Sequence, residues 1–386
     1  MAAQSANRGR KIAIIGGGIG GLTAALAFVR TGADVTVYEQ APAITEVGAG
    51  LQITPNGARV LDALGLAEVS DRMGIPARAV EPMDALSGRM VTRFDLSNLD
   101  GPPYRFFHRA DLIDLLAEAC FSEGVAIKTG YRIENVSKSG AFDVNGETQN
   151  PDLTVGADGL HSQMRSLLNG ADDPFFTGQV AWRAIIDAPD HPPIARLWMA
   201  PRRHVVTYPL RGGRLNIVAV QERREWAADG WNHPADPSTL RNAFAGFSPR
   251  VLGLLNRVET VHEWGLFRHP VAPTWFGTRT AILGDAAHPT LPFMAQGANL
   301  AIEDAFVLAA CCNRGPLDKS LPQYQQLRHA RVERAIEAAN KNAVNYHLTG
   351  ARRRASFAVL KGIGAVAPKA WLNRLGWLYN HDVTTL

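Results

Sequence analysis

Cysteine is scarce in this chain, and the few that occur exclude two architectures. Only Cys120, Cys311 and Cys312 are present among 386 residues. Their spacing matches no zinc site, and two adjacent cysteines in one helical run can hardly bridge each other. The sequence therefore predicts no metal site and no disulfide framework, and a reducing compartment. Long apolar runs are missing as well: no stretch approaches the roughly 18 residues of a spanning helix, so no integral membrane segment is expected. Arg8, Arg10 and Lys11 precede an apolar stretch in the manner of a secretory leader. Glycines interrupt that stretch at once, however, and Asp34 and Glu39 follow, so a folded strand and helix and a cytoplasmic location are expected. Charge of neither sign accumulates: 40 Lys plus Arg stand against 36 Asp plus Glu, a formal net charge of +4. Only Arg352, Arg353 and Arg354 form a run, and so scattered a pattern predicts no nucleic-acid partner. Internal repeats and low-complexity segments are absent too.

What is present is the composition of an ordinary globular enzyme, 46% hydrophobic and 20% charged. The length exceeds what one small core needs and predicts two packed units, or one large α/β unit with an inserted layer. Residues 11–15 read as a strand, 20–31 as a helix and 34–39 as a second strand, a β-α-β unit. Amphipathic helices are predicted at 55–64 and 109–122, with Leu112, Leu115, Leu116 and Ala119 on one side. Strands at 125–128 and 153–157 bracket a hairpin-like region. Between 178 and 268 the texture turns β-rich, with segments at 179–186, 195–199, 204–210 and 215–221. Arg211, Gly212, Gly213 and Arg214 supply hairpin chemistry between the last two. Helices follow at 238–246 and 249–257, then a strand at 280–283. Two longer helices are predicted at 297–312 and 321–348, the second started by Pro322, and an aromatic helical tail closes the chain.

Gly16, Gly18 and Gly21 form G-x-G-x-x-G between the first strand and the first helix. The first two permit a tight turn and close backbone approach to a pyrophosphate; the third lets helix and strand pack closely. The free N–H groups of the helix then face the phosphates. Glu39 ends the second strand, placed to accept hydrogen bonds from a ribose, with Gln40 beside it. Gly20 belongs to the same turn. This motif serves NAD or FAD equally well, its bland alternative being a tight turn without a ligand. No second such motif is present to hold a nicotinamide permanently.

Two further segments, GADGLHSQMR (156–165) and GDAAHPTLPFMAQGANLAIEDA (284–305), each read as strand, turn and helix. With the first motif they give a chain that resembles the single-component (class A) flavoprotein aromatic hydroxylases, especially the salicylate hydroxylase, hydroxynicotinate and hydroxybenzoate monooxygenase branch. The resemblance runs from about residue 11 to about 348. It implies an α/β fold like that of p-hydroxybenzoate hydroxylase: a Rossmann-like FAD-binding domain, an inserted antiparallel β-sheet substrate domain and a C-terminal helical region. The expected division is 1–74, 101–174 and 271–345 for FAD, 75–100 and 175–270 for substrate, and 346–386 for the tail.

By the same resemblance Asp158, Ser162 and Arg165 are implicated in flavin and pyridine-nucleotide binding, although an Asp-Gly turn more commonly just caps a helix. Asp285 is expected at the ribityl or ribose hydroxyls. Gly297, Ala298 and Asn299 are expected to place a helix N-terminus at the flavin ring, where partial positive charge suits the anionic reduced form. Arg109, in HRADL, matches an arginine that reaches FAD. Gln52, in VGAGLQITPN, stands where a related branch has histidine near the flavin. His204 and Tyr208, four apart in the strand RHVVTYPL and roughly 13 Å apart along one face, match substrate-pocket residues. Outside the resemblance, such a pair would be read as half-buried packing.

The implied reaction uses FAD, NADH or NADPH as a transient co-substrate, and O2. A flavin C4a-hydroperoxide transfers its terminal hydroxyl to a small, phenolic or hydroxypyridine, carboxylated ring. His204 is the candidate base and Tyr208 orients the ring. Pro292 and Phe293 are expected to wall the pocket, Phe293 replacing a histidine of the hydroxynicotinate branch, and Arg183 is a candidate for the substrate carboxylate, its alternative being a structural strand arginine. His288 is not assigned a catalytic role. The competing readings are a flavin-dependent oxidase, reductase or epoxidase of a non-aromatic compound, and a flavin-less binding protein, against which Glu39, Asp158 and Asp285 argue together. A monomer or a homodimer is expected.

Overall fold

The computed structural model describes residues 5–44, 49–223, 225 and 233–386, and the backbone alone at 98 and 368–371. Val47 and Gly48 of the Gln52 segment lie outside the described residues.

Five parallel strands build the first sheet in the spatial order Thr280–Ile282, Leu153–Gly156, Lys11–Ile15, Asp34–Glu39 and Ala126–Thr129. Lys11–Ile15 is buried from its second residue onward, the near-continuous apolar run of a strand covered on both faces. From this strand the chain passes to Asp34–Glu39 on one side and returns much later as Leu153–Gly156 on the other. The reversal of direction therefore lies beyond Ile15, where crevices open at the carboxyl ends of strands. Helix Ile19–Val29 packs there against Gly297–Asn313.

An eight-stranded sheet forms the second layer, in the order Pro234–Ala235, Val261–Arg268, Phe175–Asp187, Arg214–Glu222, Arg203–Leu210, Ile194–Ala200, Ala79–Asp84 and Phe94–Asp95. It is antiparallel except where Ala79–Asp84 runs parallel to Ile194–Ala200; that strand arrives by a long crossover and not from a hairpin. The predicted hairpin is present with a three-residue loop, 211–213, in which Gly212 at φ 73° and Gly213 at φ 70° take the left-handed region that glycine adopts without steric cost. One face of this sheet packs against helices Pro237–Ala243 and Pro249–Leu255. The other face looks toward the parallel sheet.

The long helix spans Leu317–Tyr346, four residues earlier than Pro322 suggests. Pro322 removes one backbone hydrogen bond within the second turn and is tolerated there, while Asp318 in the first turn complements the helix dipole. This helix is bolted to Gly297–Asn313 by buried charges. Arg328 reaches Glu303 at 2.6 Å and Asp304 at 2.7 Å, Arg331 reaches Glu303 at 2.7 Å, and His288 Nε2 lies 2.5 Å from Asp304. Burial alone would raise the Asp304 carboxyl, but His288 and Arg328 prevail and hold it down at about 2.

The tail is helical at Gly350–Val366 and Pro368–Tyr379. Arg59 and Arg331 tie it down by donating to the carbonyls of Tyr379, Trp377 and Leu378. All three cysteines are buried free thiols, and burial pushes Cys120 and Cys312 up to about 12 and Cys311 to about 11. Among the described residues no helix is long and apolar enough to cross a membrane.

Candidate active site

Four of the five glycines in the first turn have different jobs. A Cβ on Gly16, at φ 106°, would stand 2.3 Å from the Ala157 carbonyl oxygen, and one on Gly21 would stand 1.9 Å from that of Gly16. Both positions exist for close packing. Gly20 is closed by Leu283, at 2.8 Å. Among the described residues Gly18 alone of these meets nothing within 4 Å, so its backbone borders open space at the N-terminus of Ile19–Val29, whose first N–H groups have no acceptor within the helix. Glu39 is held by the neighbouring backbone: Gly17 N–H donates to one carboxylate oxygen at 2.7 Å and Ala41 N–H to the other at 2.8 Å. With Gln40, Tyr131 and Asp158 it lines a cavity of about 300 Å³.

A second cavity, of about 370 Å³, lies between the two main sheets. Gly18, Ala157 and Gly159 line both, so the two meet at the glycine turn. Its parallel-sheet side carries Gly20, Gln52, Arg109, Asp285, Gly297 and Ala298. No hydrogen-bond partner engages the Asp285 carboxylate among the described residues; it faces the cavity, and the surrounding protein raises its pKa while His288 and Arg109 oppose the rise. Gly297 and Ala298 open a seventeen-residue helix and present unpartnered backbone donors to the cavity. Gln52 accepts the Tyr104 hydroxyl at 2.5 Å.

Three expected residues are engaged otherwise. The side chain of Asn299 is buried away from the cavity, donating to the carbonyls of Gln52 and Ala295 and accepting Thr54 N–H. It joins the helix start to strand Gly50–Ile53. The Asp158 carboxylate accepts the Ser162 hydroxyl at 2.6 Å and Gln163 N–H at 2.9 Å, so it caps the helix Gln163–Asn169 while lining the smaller cavity. Arg165 donates to the carbonyls of Ala287 and Pro270 and secures the turn after Asp285.

From the eight-stranded sheet, Arg183, His204, Val206, Tyr208, Val218 and Trp264 line the larger cavity. The alternation of the strand accounts for three of them: His204, Val206 and Tyr208 face the cavity, whereas Val205 belongs to the core on the opposite face. Tyr208 stacks on Phe106 with ring centroids 5.2 Å apart, and burial raises its phenol pKa. The Arg183 guanidinium lies over the Trp264 ring at 4.8 Å. His204 is 2% exposed, and its Nδ1 is 2.7 Å from His347 Nε2. Burial, seconded by His347, holds its pKa well below 6.5. Pro292 lines the cavity, but Phe293 does not: it is buried behind His204, with ring centroids 5.4 Å apart. His288 sits in the buried charge cluster, away from the cavity.

Sequence reading missed Trp264, Tyr104 and His347. Trp264 and Tyr104 lie in β-rich or irregular stretches with no motif. His347 ends a helix 143 positions from His204 in sequence, and only the tertiary fold joins them.

The open space at Gly18, the donors at two helix N-termini, the unengaged carboxylate of Asp285 and the acceptor Glu39 fit a flavin dinucleotide laid through both cavities. The comparisons agree. The model of the FAD binding domain family matches residues 10–339. The chain is 35% identical to a 3-amino-4-hydroxybenzoate 2-monooxygenase of Streptomyces platensis, over 94% of this chain and 95% of that one. It is 34% identical to a 3-hydroxybenzoate 6-hydroxylase of Polaromonas naphthalenivorans, over 96% of each. Among solved structures, Klebsiella pneumoniae HpxO complexed with FAD and uric acid superposes with a TM-score of 0.81 at 26% identity, covering 92% of this chain and 93% of that one. A salicylate hydroxylase substrate complex shares the fold, with a TM-score of 0.80 at 24% identity over 98% and 97% of the two chains. The chain belongs to the FAD binding domain family, and within it to the FAD-dependent aromatic monooxygenases that draw on NAD(P)H and O2.

Proposed function

We propose that the substrate is a small carboxylated phenol of the hydroxybenzoate class, held by its carboxylate at Arg183 and deprotonated by His204. The observation that carries this reading is the placement of a cation and an uncharged imidazole on one sheet face, across the cavity from Asp285 and Gly297. Both relatives quoted above act on hydroxybenzoates by name. On the cofactor side we assign Gly16, Gly18, Gly20, Gly21, Glu39, Gln40 and Asp158 to the adenosine and pyrophosphate end. Gln52, Arg109, Asp285, Gly297, Ala298 and the backbone of Asn299 go to the flavin end. The division into 1–74, 101–174 and 271–345 for FAD, 75–100 and 175–270 for substrate and 346–386 as tail belongs to the same proposal.

Bound FAD supplies the reduction by NAD(P)H and the transfer of one oxygen atom to the ring. The protein supplies the rest. Arg183, braced by the Trp264 face, offers a planar fork that matches a carboxylate. His204 takes the phenol proton, which makes the ring electron-rich at the moment it is attacked. Tyr208, kept neutral by burial, donates to the phenolate oxygen and orients it. Val206, Val218 and Pro292 wall the site with apolar surface and exclude water.

The test follows NAD(P)H oxidation and product over 3-hydroxybenzoate, 3-amino-4-hydroxybenzoate, hydroxypyridines and phenols without a carboxylate. Hydroxylated product in proportion to NAD(P)H consumed supports the reading, whereas peroxide alone from every compound sinks it. His204→Asn is expected to slow hydroxylation by on the order of 10²–10⁴-fold with flavin content retained. Because the His204 pKa is lowered, its basic form persists below the usual imidazole range. The wild-type rate is therefore expected to stay level from about pH 8 to about pH 6, and a fall centred near pH 7 would speak against His204 as the base. Arg183→Met is expected to raise KM for carboxylated phenols about ten- to a hundredfold, the worth of a hydrogen bond between charged groups, and to leave phenol itself unaffected.

A further inference from the structure

His204 is the inner end of a line of hydrogen bonds that leaves the cavity. Its Nδ1 is 2.7 Å from His347 Nε2, and His347 Nδ1 is 3.0 Å from Glu222 Oε1. The two imidazoles are each almost wholly buried, whereas the Glu222 side chain is 35% exposed. The line thus connects the cavity to solvent through two rings. Its outer half is held in place by Arg202. Arg202 Nε donates to the other carboxylate oxygen of Glu222 at 3.1 Å, and Arg202 N–H donates to the His347 carbonyl. Arg202 takes φ 61° to do so, a left-handed conformation uncommon for a residue with a side chain. The Tyr346 hydroxyl, beside His204, is engaged with the Phe293 carbonyl and takes no part.

The polarity of the line follows from its outer end. An ionised carboxylate only accepts, so His347 must carry its hydrogen on Nδ1. Neutral His347 then presents a lone pair at Nε2, and His204 Nδ1 must donate to it. What remains is an unprotonated Nε2 on His204, a residue that lines the cavity. That tautomer is the one a base requires.

We infer that His347 and Glu222 are positioning residues that set the tautomer of His204 and form the path by which the substrate proton reaches solvent. The inference rests on the reading of His204 as the base. In the step, the phenol O–H breaks and His204 Nε2 gains its proton. His204 Nδ1–H passes to His347 Nε2, and His347 Nδ1–H passes to Glu222 and on to water. One proton leaves the phenol, one enters solvent, and no electrons move. Reversal of the line protonates the product phenolate before release and restores both tautomers.

The test uses the FAD-loaded enzyme, 3-hydroxybenzoate as probe and an indicator dye in weak buffer, so that proton release on binding is timed in a rapid mixer. Wild type is expected to release a proton as the probe binds. His347→Phe, which fills the ring's space, is expected to slow release by about tenfold or more at unchanged probe affinity and flavin content. Glu222→Gln, at a half-exposed position, is expected to slow it less. His347→Ala is expected to regain speed when imidazole is added. Unchanged release in both His347→Phe and Glu222→Gln, with release abolished in His204→Asn, overturns the path and leaves the base standing. Unchanged release in His204→Asn overturns the base itself.

Discussion

Substituting Gly18 by leucine is expected to give a folded, colourless protein. Gly18 has φ −78° and ψ −176°, an extended conformation that any residue adopts, and a Cβ there meets no atom of the described residues within 4 Å. Nothing in the apoprotein resists the change, so its unfolding free energy is expected to move by no more than about 0.5 kcal/mol. The new side chain instead fills the space in front of the free N–H groups of helix Ile19–Val29, where the pyrophosphate must approach the backbone. Flavin absorbance per mole of purified protein is expected to fall to near zero and not to return on incubation with FAD. Gly21→Ala provides the contrast. Its Cβ would stand 1.9 Å from the Gly16 carbonyl oxygen, a backbone atom that cannot rotate away. It is expected to destabilise the apoprotein by roughly 1–3 kcal/mol, as forced overpacking does, and so to lose flavin together with fold. A yellow Gly18→Leu protein with ordinary FAD content would place the pyrophosphate elsewhere and remove the cofactor assignment of this turn.

The contrast also marks where sequence reading works and where it stops. Periodicity and turn chemistry sufficed for the β-α-β unit, the Arg109–Ser122 helix and the Gly212–Gly213 hairpin, because each is decided within a few residues. The start of the long helix escaped, since a proline in the second turn looks like a beginning. Ala79–Asp84 escaped because its partner, Ile194–Ala200, lies more than a hundred residues away. At the site, the glycines and Asp285 were legible as motif members facing a cavity. Asn299 and Phe293 belong to the same motif, yet they are turned into the protein, a difference decided by packing against Thr54 and His204. The relay from His204 through His347 to Glu222 has no local signature, for it joins two strands and a helix end.

The motif residues Glu303 and Asp304 bear on the last and largest stability effect, that of Arg328→Met. Both carboxylates are fully buried, and Arg328 contacts each of them from the long helix. Methionine fills much of the same volume without charge, leaving Glu303 to Arg331 and Asn56 and Asp304 to His288. Breaking a buried ion cluster by removing one partner costs about 3–5 kcal/mol, because the remaining charge stays desolvated. Urea unfolding of the apoprotein is expected to register that loss at neutral pH. Its pH dependence has a definite sign. The folded Asp304 pKa, about 2, lies below the ordinary 3.8, so in wild type this group's stabilisation is complete above about pH 4 and lost as pH falls toward 2. Without Arg328 the folded pKa rises, Asp304 protonates earlier on acidification, and the difference between variant and wild type narrows at low pH. Replacing Asp304 by Asn in the Arg328→Met background is expected to recover part of the loss, since Glu303 keeps Arg331 and no buried carboxylate is then left without a cation. The cluster lies only two turns from Gly297, so the single variant is also expected to bind FAD more weakly. An Arg328→Met protein with wild-type stability at pH 7 would mean that water or side-chain movement solvates these carboxylates, and that packing alone joins the two helices.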